Sequence, residues 1–208
     1  HALVDGIEDY LQAMILLMGL AGLRLGEARA LHRSDIDLEA GTVFVHRSMT
    51  GDGKNRVERS TTKTPAGTRL LPLAPVVIDA LKEHFEREPF IPNDYFAFQG
   101  RDKKRPRDNE PVGRKTPGQA MDRVLKREEL KHATPPALRH TAITFAARIQ
   151  GVTEVDLQAY FGHSKGSNVT ARYIHTDDQQ LRLIADGMNK VYLQSDGVVV
   201  PLRRTQAV

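Results

Sequence analysis

Ala21-Gly22-Leu23-Arg24-Leu25-Gly26-Glu27 decides how the rest of this chain is read. Ahead of it, Ile7, Leu11, Met14 and Met18 recur at spacings of four, three and four, which predicts an amphipathic helix with Asp5 as its cap. Gly19 and Gly22 break that helix, and a second, short one starts near Leu25 and carries Glu27 and Leu31. Arg24 therefore falls at a helix entry, where free backbone amides favour an anion. Glu27 follows three residues later, where it can orient or buffer the arginine's charge. A second arginine-centred phrase, Ala137-Leu138-Arg139-His140-Thr141, lies on a later helix. Gly162-His163-Ser164 then precedes Tyr173, which Arg172 adjoins. These side chains run from residue 24 to residue 173 of 208, so only a folded chain could unite them.

A phenol with two arginines and an imidazole suits attack on a phosphodiester. The diester gains negative charge on its oxygens as it becomes five-coordinate, and fixed donors aimed at them lower the barrier. Arginine fits because its planar fork gives two parallel hydrogen bonds and stays charged. A free phenol, with a pKa of about 10, is mostly protonated at neutral pH. Two guanidinium groups beside it favour the phenolate. Each residue also has a plainer reading. Arg24 could be a surface arginine, Arg139 a structural ion pair at the core's edge, and His163 a helix-capping group after Gly162. Tyr95, Tyr160 and Tyr192 are the expected core tyrosines.

Together these phrases resemble the catalytic domain of the tyrosine recombinase, or phage integrase, family, from about Leu11 to about His175. The resemblance implies catalytic roles for Arg24, Lys63, Arg139, His163 and Tyr173, with Glu27 and His140 in support. Lys63, in Thr62-Lys63-Thr64 before Arg69-Leu70-Leu71-Pro72-Leu73, matches the family's hairpin lysine, which protonates the leaving 5′ oxygen. Attack by Tyr173 would leave a phosphotyrosine on the DNA 3′ end. That linkage keeps the diester's energy, so rejoining needs no ATP. Two departures stand out. Pro136 occupies the position, three before the second arginine, where the family usually has a histidine, and proline can neither donate a hydrogen bond nor move a proton. His132 could reach in from the loop instead. The gap from His163 to Tyr173 is also one residue longer than usual. The implied activity is site-specific recombination. The alternatives are relaxation of the type IB topoisomerase kind and a DNA-binding protein whose chemistry is impaired at Pro136.

Composition agrees with a globular protein: 40% hydrophobic and 27% charged residues. There is no cysteine, which excludes disulfides, thiolate catalysis and cysteine zinc sites and fits a reducing cytoplasm. No cofactor or metal is called for, and no apolar run reaches the roughly 20 residues needed to cross a bilayer. Net charge is +4, and Arg101, Lys103, Lys104, Arg105 and Arg107 concentrate it beside the proposed phosphodiester site, as a DNA-backbone contact.

The expected class is mainly helical with one small antiparallel three-stranded sheet. Its strands are Thr42–His46, Val57–Thr62 and Thr68–Leu73. Pro75 opens a helix, residues 99–118 read as a long mobile loop, and Gln119–Leu130 is helical. Thr134 caps the next helix with Pro135 at its first position. Two further helices cover Glu154–Tyr160 and Asp177–Met188, with strand-like Val198–Val200 late in the chain. Residues 1–190 form the expected catalytic unit, and 191–208 a tail that docks on a neighbouring subunit. Starting at His1, the chain reads as a piece of a longer protein whose separate DNA-binding domain precedes it. The partners implied are double-stranded DNA and three further copies, a homotetramer on two DNA sites.

Overall fold

The computed structural model describes residues 1–60, 68–88, 91–102, 105–162 and 178–194. Its axis is helix α2 (Asp9–Gly19), in which Leu11 and Ala13 to Met18 are all buried. A helix apolar on every side belongs inside a protein, wrapped by others. The expected single helix is in fact two. α1 (Ala2–Gly6) comes first, Ile7 is extended at φ −88°, ψ 159°, and Glu8 takes the cap position of α2. Asp5 thus lies within α1 rather than capping the longer helix.

After α2 the chain turns through Gly22 into α3 (Leu25–Ala30). Further along come α4 (Pro75–Arg87), α5 (Thr116–Arg127), α6 (Pro135–Ala146), α7 (Glu154–Phe161) and α8 (Asp178–Gln194). α4 and α6 pack on α2, and α8 packs on both of them and on the sheet. Thr134 and Pro135 occupy the expected positions at the start of α6, but the threonine side chain accepts no capping bond. α8 runs to Gln194, so the expected boundary at 190/191 falls inside it, and Tyr192 stacks on His1 at 4.2 Å. No described helix is long and apolar enough to cross a membrane.

The sheet is three-stranded and antiparallel, but with different members from those expected. It orders β1 (Ile36–Asp37), β2 (Thr42–Val45) and β5 (Arg69–Pro72). Val43 pairs with Leu71 and Val45 with Arg69 on the core face, while Phe44 and Leu70 face outward. The Val57–Thr62 stretch does not join this sheet. Its β4 (Val57–Ser60) pairs with β3 (Arg47–Thr50) in a separate hairpin. The reason lies at the junction of β2 and β3. His46 and Arg47 bond Asp35 at 3.0 and 2.5 Å, which draws the chain out of the sheet. A fully buried arginine pins the hairpin's far end. Arg29 donates to Val112 O at 2.7 Å, Gly51 O at 3.0 Å and Asp52 at 2.8 Å.

Residues 99–118 are not a loop. β6 (Gln99–Asp102) and β7 (Arg105–Pro111) form an irregular antiparallel hairpin, and α5 already starts at Thr116. Its strands carry charge and proline instead of alternating apolar residues, so no strand signal exists in them. The anchor is at the base, where buried Val112 donates to the carbonyl of buried Phe98 at 3.0 Å. Val198–Val200 lies outside the described residues.

Candidate active site

Arg24 occupies the N-cap position of α3 in extended conformation, φ −69°, ψ 149°. Its backbone N–H donates to Glu27 Oε2 at 2.9 Å and its Nη1 to Glu27 Oε1 at 2.7 Å. The backbone amide of Arg24 itself is therefore already taken by the carboxylate. What Arg24 can offer a ligand is its side chain, which is 46% exposed.

Arg139, from α6, is buried at 7% exposure. It donates to two main-chain oxygens, Gly22 O and Phe161 O, and so ties the turn after α2 to the end of α7. Gly22 must be glycine. Its φ is +65°, and a Cβ would stand 2.3 Å from Phe161 Cε1. α7 itself ends in a left-handed Gly162, φ 64°, the usual helix stop.

The last carbonyls of a helix lack partners within it and form its negative pole. Here three successive ones receive three different arginines. Arg69 Nε bonds Tyr160 O at 3.1 Å, Arg139 bonds Phe161 O, and Arg24 Nη2 bonds Gly162 O at 3.1 Å. Residues from α3, β5 and α6 thus converge on the end of α7, immediately before His163 in the chain. Arg69 also donates to Glu27, at 2.9 Å to Oε2 and 3.3 Å to Oε1.

This crowding has electrostatic consequences. Burial, then the charges of Arg24 and Arg69, lower Arg139 to about 10 against the pull of Glu27. Arg139 is thus still protonated at neutral pH, but its positive charge is under-compensated, a condition that an incoming anion relieves. Burial would raise Glu27, yet the hydrogen bond and charge of Arg69, with help from Arg24, hold its carboxyl below the ordinary value. Tyr160 is the opposite case from a nucleophile. Its hydroxyl is wholly buried, donates to Pro72 O at 2.9 Å, and is pushed well up by burial.

The arginines Arg24 and Arg139 and the carboxylate Glu27 are thus brought together as expected. His140 is exposed, about 100° around α6 from buried Arg139, and its carbonyl accepts from Thr144. His132 is directed at Asp122, 3.3 Å away, and is largely exposed. Arg101 is committed inside the fold, to Glu88 and over the Tyr10 ring at 4.8 Å. Arg105 and Arg107 belong to β7. Lys63, Lys103, Lys104, His163 and Tyr173 lie outside the described residues. Sequence reading missed Arg69. The signal was there: it shares the core face of its strand with Leu71, and a charge at an inward position demands a buried partner.

The phage integrase family model matches residues 2–180. A prophage phiRv2 integrase of Mycobacterium tuberculosis is 26% identical over 195 residues, covering 92% of this chain and 49% of that protein. The chain spans about half the length of the curated relatives it matches. Among solved structures, a Tn1549 transposon integrase in complex with transposon right end DNA matches with a TM-score of 0.60 at 26% identity, over 83% of this chain and 56% of that one. The XerA recombinase matches in fold with a TM-score of 0.58 at 22% identity, over 95% of this chain and 61% of that one. With its arginine cluster and helical frame, this chain belongs to the phage integrase family.

Proposed function

We propose that this chain is the catalytic part of a site-specific DNA recombinase that cuts and rejoins strands through a 3′-phosphotyrosine. The observation that carries the reading is the pairing of half-exposed Arg24 with buried Arg139 at the end of α7. One arginine is open to a phosphate and the other, behind it, lends charge from a site where water screens poorly.

In the proposed reaction the Tyr173 phenolate attacks the phosphorus. A bond from tyrosine oxygen to phosphorus forms, and the bond from phosphorus to the 5′ oxygen breaks. Arg24 holds a non-bridging oxygen and Arg139 adds its charge from behind while negative charge builds, with His163 as a further donor. Lys63 gives the departing 5′ oxygen its proton. Reversal, with a 5′ hydroxyl of another strand as nucleophile, rejoins the DNA and frees the tyrosine. No net bond energy is lost, so the exchange runs without a nucleotide. Pro136 removes one donor from the family's set, which predicts a slower chemical step. Double-stranded DNA is the substrate, and four copies on two sites complete the exchange. Lys103, Lys104, Arg105 and Arg107 follow the phosphate backbone outside the scissile position.

A DNA duplex nicked so that the released fragment, which bears the new 5′ hydroxyl, diffuses away tests this. The chain should accumulate a covalent adduct, and Tyr173→Phe should abolish it while DNA affinity stays within a few-fold. If wild type forms no adduct and Pro136→His does, the chain is a DNA-binding member with impaired chemistry. Relaxation of supercoiled plasmid lacking paired sites would instead point to topoisomerase-like activity.

A further inference from the structure

We infer that Arg69 is a positioning residue for the cleavage step: it sets where Arg24 and the end of α7 stand without touching DNA. The inference rests on the recombinase reading above.

Arg69 points inward from β5 and is 8% exposed, opposite Val45 and on the same face as Leu71. Apolar side chains in place of both Arg69 and Glu27 would serve packing as well, since exchanging a buried ion pair for packed apolar residues is often neutral or favourable. Stability alone therefore gives no reason for a charged pair here. Geometry does. The guanidinium spans two elements, binding both oxygens of Glu27 and, through Nε, the carbonyl of Tyr160. Glu27 passes that constraint to Arg24 through two bonds, at 2.9 Å to its backbone N–H and 2.7 Å to its Nη1. Tyr160 passes it to Gly162, which Arg24 also grips, and so to the chain entering His163. The result is a closed circuit of Arg69, Glu27, Arg24, Gly162 and Tyr160. A planar fork is required to close it, because donors in fixed directions must meet acceptors on two different elements. Lysine keeps the charge but has a single donor nitrogen. Arg69 also stands six residues after Lys63 in the chain, so one short segment serves both the proposed acid and the arginine frame.

Arg69→Lys tests this. With saturating nicked DNA, its single-turnover cleavage should fall on the order of 10- to 100-fold, as for a small misplacement of a catalytic group. DNA affinity should hold within about threefold, because no DNA contact is lost. In two-dimensional NMR spectra the backbone amides of Arg24 and Gly162 should shift, and those of α5 should not. Should Arg69→Lys fold poorly, the double variant Glu27→Gln with Arg69→Met removes both charges and keeps the volume. It should regain thermal stability but not cleavage. The inference is overturned if Arg69→Lys cleaves like wild type, if the double variant recovers stability and cleavage together, or if the Arg24 and Gly162 amides do not move. Absence of any adduct from wild type counts against the recombinase reading instead, and the amide shifts then still decide whether Arg69 positions Arg24.

Discussion

Replacing Arg24 by alanine separates chemistry from folding. The side chain makes a 2.7 Å pair with Glu27 and a 3.1 Å bond to Gly162 O, and it is 46% exposed. A half-exposed ion pair is worth about 1 kcal/mol or less, and a bond to a backbone carbonyl about 1 kcal/mol net. Glu27 is not orphaned by the change, because Arg69 and the residue-24 backbone N–H still bond it. The expected loss of stability is therefore about 1–2 kcal/mol, a fall in Tm of roughly 2–8 °C for a domain of this size. The transition state loses a donor to a developing oxyanion, on the order of 3 kcal/mol or more than 100-fold in rate. Thermal unfolding followed by circular dichroism, beside single-turnover cleavage of nicked DNA well below Tm, measures both. Cleavage within threefold of wild type would refute the catalytic role. A variant that cannot fold would show that Arg24 is chiefly structural.

Gly22→Ala forces a left-handed backbone on a residue with a Cβ and drives that carbon into the Phe161 ring, so urea unfolding should show a loss of about 2–5 kcal/mol. A loss under about 0.5 kcal/mol would mean the turn relaxes freely. Glu27→Gln should change the pH dependence of stability. The carboxyl's folded pKa lies below its unfolded value, so its contribution is present above about 4.5 and disappears as pH falls through the lower folded value. The stability gap between wild type and Glu27→Gln, followed by denaturant midpoints, should thus be widest near neutrality and narrow in acid. A constant gap would contradict the assignment. Tyr160→Phe leaves Pro72 O without its donor, at a cost of about 1–3 kcal/mol, yet should still form the covalent adduct because this phenol is buried and locked.

The helical frame was legible because its signals are local. Pro75 at a first helical position, the apolar stripe around α6 and the glycine stops each act within a turn or two of chain. Arg24 and Arg139 were legible for a different reason, as members of a spaced set of phrases. What failed depended on partners distant in sequence. The β3–β4 hairpin leaves the sheet because Asp35 binds His46 and Arg47. The β6–β7 hairpin is held from its base by Phe98 and Val112, so its charged strands look like a loop. The split at Ile7 was hidden because the apolar spacing runs on through it. Arg101 was expected on a DNA backbone, and only the fold reveals Glu88 and Tyr10 beside it. Arg69 carried a readable clue, an inward charge on a strand, but its partner Glu27 lies 42 residues away.

The most direct test of the account is to digest the trapped complex of this chain with nicked DNA and to map the peptide that carries the nucleotide. The prediction is one linked peptide, containing Tyr173, with the nucleotide joined through its 3′ phosphate. Linkage at Tyr160 or any other residue, or through a 5′ phosphate, would contradict it.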